Sequence, residues 1–128
     1  MADASAYLDV RELRIDEEHP RTGMSILVVR GDADLHSAPE LRARLRMAID
    51  RGATDVVLDF SELTFIDSTS LGVLLGAMRR LRELDGRMRL VVPRPETRRI
   101  FELTLLDRVF PLDDSREKAL EALSAEAS

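Results

Sequence analysis

Phe65-Ile66-Asp67-Ser68-Thr69-Ser70-Leu71-Gly72-Val73-Leu74-Leu75 sets one acid and three hydroxyl residues directly ahead of a run of apolar residues. Just before it, Val56-Val57-Leu58-Asp59-Phe60 is a short β-branched, apolar run of the kind that forms a buried strand. After it, Leu71, Leu74, Leu75, Met78 and Leu81 recur at three- and four-residue spacing, which predicts the core stripe of an amphipathic helix. Three small hydroxyl side chains behind one acid separate the two. A helix start leaves backbone N–H groups unpaired, and Asp67 or Ser68 is suited to cap them. One cap suffices. Thr69 and Ser70 are therefore expected to turn their hydroxyls to solvent or to a partner.

Upstream, Tyr7 to Ile15 alternates apolar and polar residues and predicts a first strand at a sheet edge. Glu17 to Gly23 is a polar loop, short enough to make the next strand, Met24 to Val29, an antiparallel neighbour of the first. Gly31-Asp32-Ala33-Asp34 then leads to Ser37-Ala38-Pro39-Glu40, which has the form of a capping box with Pro in the first turn. Leu41, Leu45, Ala48 and Ile49 give this helix its buried face, and Gly52 lies just past its end.

Downstream, Asp85-Gly86 ends the central helix, and Met88 to Val92 is a strand stopped by Pro93. Pro95-Glu96 opens a helix carrying Ile100, Phe101 and Leu103. Arg108-Val109-Phe110-Pro111 predicts a last short strand. Asp114-Ser115-Arg116-Glu117 starts a terminal helix with Leu120 and Leu123 inside, and Ser124 to Ser128 is expected to fray. The order β-β-α-β-α-β-α-β-α predicts one α/β domain over residues 1–128, its core at about 7–123. Repeated strand–helix–strand crossovers make the sheet mostly parallel, with an antiparallel strand at the N-terminus and helices packed on it.

Composition narrows the function. A chain of 128 residues that is 45% hydrophobic and 34% charged fits a folded globular domain with a real core. The absence of Cys excludes disulfides, thiolate catalysis and cysteine metal sites. A net charge of −5 weighs against nucleic acid as the main ligand. No apolar run has the length of a membrane span, and the acidic start Met1-Ala2-Asp3 is unlike a secretory signal, so a cytoplasmic location is expected.

Catalysis finds little support. A hydrolase needs a nucleophile, a base and an orienting group, and neither His19 nor His36 has an evident partner of that type. Gly72 and Gly76 are too sparse, and too far inside the helix, to cradle a phosphate, which disfavours a nucleotide-binding domain. No His, Asp and Glu cluster has a recognised metal spacing, and no cofactor is expected. Asp59 stands where a receiver domain carries its phospho-accepting aspartate. The acidic pair such a domain needs after its first strand is missing at Arg14-Ile15-Asp16. Arg79, Arg80, Arg82, Arg98 and Arg99 read as solvated charge.

The stretch from Phe65 to Leu74 resembles the signature of the STAS-domain anti-sigma-factor antagonists of bacteria: an apolar residue, Asp, Ser, Ser or Thr, Gly, Leu, Gly, then apolar residues. Gly31-Asp32-Ala33-Asp34 is similar to that family's Gly-x-x-Asp before the first helix, and Val56 to Ser61 to its strand leading into the site. The resemblance covers almost the whole chain. It implies a partner-switching protein of stress response or sporulation, not an enzyme. The unmodified antagonist binds an anti-sigma factor, often itself a serine kinase, and so frees a sigma factor for transcription. Phosphorylation of the Ser after the Asp switches it off, and a serine phosphatase reverses this.

Carried over, the resemblance makes Ser68 the phospho-acceptor, with Thr69 as second choice. It places Asp67, Thr69, Ser70 and Gly72 in the partner contact, with Asp34, His36 and Ser37 on the adjacent loop. Ser70 departs from the pattern, standing where the family commonly has Gly, and would add a side chain where a partner approaches. The alternative is a STAS module that does not switch, a scaffold or a transport-system subunit. Such relatives need not keep a phosphorylatable Ser after the Asp, so Ser68 favours the switch.

Overall fold

The computed structural model describes residues 11–127. Its elements are registered on one ten-residue strand, β2 (Met24–Ala33). β1 (Arg14–Glu18) runs antiparallel to it, with Ile15 opposite Val29. β3 (Asp55–Asp59) pairs in parallel with Met24 to Val28, and β4 (Leu63–Ile66) in parallel with the far end, Gly31 to Ala33. β5 (Arg87–Val91) and β6 (Leu112–Asp113) extend the parallel sheet beyond β3. Among the described residues four helices complete the fold: α1 (Ala38–Asp50), α2 (Ser68–Glu83), α3 (Pro95–Leu103) and α4 (Arg116–Ala127). None of the described helices is long and apolar enough to cross a membrane.

Strand alternation sends the side chains to two cores of unequal size. Leu27, Val29, Val56, Leu58, Met88 and Leu90 point to the side of α1 and α2, where Leu41, Leu45, Leu74, Met78 and Leu81 close a large apolar core. Phe60, Phe101 and Phe110 finish it, Phe101 stacking on Phe60 and meeting Phe110 edge to face. On the other side Met24, Ile26, Val28, Val57 and Val91 meet, among the described residues, Ala119 and Leu123 of α4, with Leu120 half-buried beside them.

The expected antiparallel start and mostly parallel sheet are present, and the details differ: β2 runs past Val29 to Ala33, and α4 continues through Ser124, where fraying is expected, to Ala127. β4 was not anticipated. It leaves the run of β3 after Phe60 and pairs instead with β2, which bulges between Gly31 and Asp32 to receive it. Gly31 sits at φ +87, and a Cβ there would lie 2.3 Å from the Glu12 carbonyl oxygen, so only glycine fits this turn. Of the expected first strand, Tyr7 to Val10 lie outside the described residues, Arg11 to Leu13 are not strand, and pairing starts at Arg14.

The segment read as a last strand at Arg108 to Pro111 begins in a 3-10 turn (Leu106–Arg108), and the true strand is the two residues Leu112 and Asp113. Val109 and Phe110 cannot extend, because their N–H groups are already spent on the Leu106 carbonyl. Leu103 is exposed, since only Thr97 and Phe101 of α3 are fully buried.

Candidate functional site

The site forms where β4 runs into α2. Asp67 has extended backbone geometry, and its carboxylate accepts the Ser70 N–H at 3.0 Å, so Asp67 is the cap. Its own N–H donates to the Ala33 carbonyl at 3.1 Å and its carbonyl accepts from Leu71 at 3.0 Å. Ser68 is then the first helical residue. Ser68 and Thr69 are both exposed, and no hydrogen bond among the described residues claims their hydroxyls. Free N–H groups and the macrodipole make such a helix start favourable for an anion.

Ser70 does not face out. It is 0% exposed, and its hydroxyl points to the Asp34 carbonyl oxygen at 3.4 Å. The expectation that this hydroxyl meets solvent or a partner is corrected: the third position of a helix capped by Asp67 turns inward against the β2–α1 loop.

That loop is held by one acid. The Asp34 carboxylate accepts the His36 N–H at 2.9 Å and the Ser37 N–H at 3.0 Å, an Asx-type turn, and the Ser37 hydroxyl lies 3.1 Å away. The Ser37 N–H above all, with the Ser37 hydroxyl and the His36 N–H, holds the Asp34 carboxyl below its ordinary value of 3.8. Ser37 stands at the helix entry, as its capping-box position predicts, yet its side chain makes no cap bond. Its hydroxyl donates to the Asp32 carbonyl at 2.8 Å and accepts the Asp34 N–H at 2.9 Å, so the turn has taken it from the helix.

Asp34, Ser37, Asp67 and Ser70 are thus joined in one hydrogen-bonded unit, with Ser68 and Thr69 standing out from it. The His36 side chain is exposed beside this unit, and Gly72 lies on the exposed face of α2 one turn past Ser68. Two residues without an assigned role in the sequence are conspicuous here. Leu35 is 65% exposed on the loop and Phe65 is 48% exposed on β4. Leu35 was legible in principle, because it falls outside the apolar stripe of α1 and sits in a polar turn. Phe65 was not, since the strand that displays it was not foreseen.

Elsewhere, His19 does have neighbours, contrary to the sequence reading. Its Nε2 is 2.9 Å from the Glu17 carboxylate and its Nδ1 is 3.4 Å from the Ser25 hydroxyl. Ser25 is 3% exposed within β2, too deep for a substrate to reach, so the array ties the β1–β2 turn together. Among the described residues no group of His, Asp and Glu is arranged to hold a metal.

The STAS-domain family model matches residues 15–119, which include every element of this site. The chain belongs to the STAS-domain family of anti-sigma-factor antagonists. It is 31% identical over 112 residues to an anti-sigma F factor antagonist of Paenibacillus polymyxa, covering 87% of this chain and 95% of that one. The unphosphorylated form of the anti-sigma factor antagonist SpoIIAA superposes with a TM-score of 0.75 at 28% identity, over 88% of this chain and 97% of that one. The phosphorylated form of the Bacillus SpoIIAA gives 0.67 at 29% identity, over 86% and 99%.

Proposed function

We propose that this STAS domain is a phosphorylation-controlled antagonist that binds an anti-sigma factor when Ser68 is unmodified and so releases a sigma factor. The observation that carries this reading is the exposed, unclaimed hydroxyl of Ser68 at the first turn of α2, directly after its cap Asp67. Ser68 is the acceptor and Thr69 the second choice. A serine kinase, which the anti-sigma factor itself can be, adds the phosphate, and a serine phosphatase removes it. Asp34, His36, Ser37, Asp67, Thr69 and Gly72 form the surrounding contact surface; Ser70 acts from beneath by holding the two loops together. The domain works by binding, not by catalysis, as a phosphoprotein of the cytoplasm.

The site makes such control cheap for the fold and costly for the complex. A phosphoserine adds about −1.5 to −2 charges at neutral pH. At a helix N-terminus this charge meets N–H groups and the positive end of the dipole, so the free protein keeps its structure. In a complex the same dianion, beside the Asp67 carboxylate, loses water and meets a surface shaped for a hydroxyl. A desolvated, unmatched interfacial charge costs about 2–5 kcal/mol. Each 1.4 kcal/mol is about tenfold in affinity, so even the low end is roughly 30-fold.

Calorimetric titration of Ser68→Ala and Ser68→Glu with the purified cognate anti-sigma factor tests this. Ser68→Ala is expected to bind permanently, as the unmodified chain does, and Ser68→Glu to bind at least tenfold more weakly with an unchanged Tm. Equal affinity of the two variants would remove the switch and leave the non-switching scaffold or transport-system subunit.

A further inference from the structure

Ser68 is the first of a row. Gly72 and Gly76 follow it at four-residue spacing on the same face of α2, and both are exposed. A Cβ built at either glycine meets nothing within 4 Å. Helix-interior glycine is less stable than alanine, and nothing inside this protein calls for it here. The row opens into a groove between α1 and α2, of about 260 Å³, with Arg42, Arg46 and Arg80 at its rim and Leu45 and Val73 in its floor. Arg42 and Arg46 are exposed and have no ion pair among the described residues, while Arg80 reaches Asp50 at 3.4 Å. On a chain of net charge −5 this cationic rim runs against the overall field.

We propose that this groove docks an acidic, amphipathic helix of the protein partner, continuing along α2 the contact that begins at Ser68; in this it rests on the function proposed above. The chemistry selects the occupant. A small inorganic anion is held by N–H and O–H donors around it, whereas this floor is apolar side chain and helix backbone stripped of Cβ atoms. A helix with small or apolar residues on one ridge and carboxylates on both flanks satisfies floor and rim together. The missing Cβ atoms let its backbone approach α2 closely, and the arginines pair with its acids.

The probe is a synthetic helical peptide with glutamates flanking a ridge of alanine and leucine, titrated into the 15N-labelled full chain. The expected result is amide shifts centred on Gly72, Gly76 and Ala77. Affinity is expected to fall at least tenfold in Arg42→Glu/Arg46→Glu, to be kept in Arg42→Lys/Arg46→Lys, and to fall steeply with added salt. Gly76→Leu is expected to abolish the shifts without lowering Tm. Shifts that are absent, lie elsewhere or survive the charge reversal would overturn the proposal, as would inorganic phosphate moving the same amides. Mass spectrometry of the same chain keeps the two readings apart. Phosphate on Ser68 without peptide shifts leaves the switch standing and removes the groove, and peptide shifts without phosphate do the reverse.

Discussion

The acids on the two sides of the sheet do different work. Around the α4 side, Asp55, Asp59 and Asp113 are all buried, and each is held by arginine. Arg87 grips Asp55 with two bonds of 2.9 and 3.0 Å, Arg89 grips Asp113 at 2.8 and 3.0 Å, and Arg116 reaches Asp59 at 3.1 Å. At the start of α2, Asp34 and Asp67 are only partly buried and hold backbone N–H groups of their own turns. The first set braces a small apolar core that, among the described residues, α4 alone covers. The second shapes two turns and leaves the hydroxyls of Ser68 and Thr69 unclaimed. The proposed switch sits where the polar groups are set in place but not used up.

If the α4-side acids are braces, removing one has the largest effect on stability. Asp113→Ala removes the buried carboxylate that Arg89, itself only 14% exposed, holds with two bonds, and is expected to cost about 3 kcal/mol, the scale for breaking a buried pair. Urea unfolding measures it, and a loss well under 1 kcal/mol would erase the contrast. A charge at Ser68 sharpens the other half. Ser68→Glu is expected to leave the urea midpoint unchanged while weakening the anti-sigma factor by the tenfold or more given above.

Asp67→Ala removes only a cap and is expected to cost about 1 kcal/mol. A loss equal to that of Asp113→Ala would show that both sets brace the fold. Gly76→Ala is expected to stabilise the free domain by roughly 0.5–1 kcal/mol, read as a rise in Tm, because the new Cβ meets nothing.

The smallest effect is in acid. The Asp34 pKa is depressed in the folded chain, so its contribution is present above the ordinary value of 3.8 and is lost as pH falls through the lower folded value. The His36 and Ser37 amides are expected to shift together only below that ordinary value in an NMR titration. A shift centred above it would contradict the turn described here.

Much of this was legible in the sequence because burial and period agree. The α2 stripe at Leu71, Leu74, Met78 and Leu81 and the β3 run are local patterns with one reading, and they bracket the site. β4 was not legible. Leu63 and Ile66 are buried while Thr64 and Phe65 between them are exposed, so no alternation marks a strand. Its partner, the far end of β2, is distant in sequence. Val109 and Phe110 look like strand by residue type, but Leu105 at φ +61 starts a tight turn that consumes their N–H groups. Ser37 and Ser70 were placed on the right turns and given the wrong contacts. A hydroxyl's partner is set by tertiary neighbours, here the carbonyls of Asp32 and Asp34, which spacing along the chain does not encode.

Phosphorylation of Ser68 is tested most directly by phosphosite mapping with mass spectrometry on the protein purified from its own cells across growth and stress conditions. Phosphate is expected on Ser68 in part of the population, at a level that changes with condition. Ser68 unmodified under every condition would contradict it.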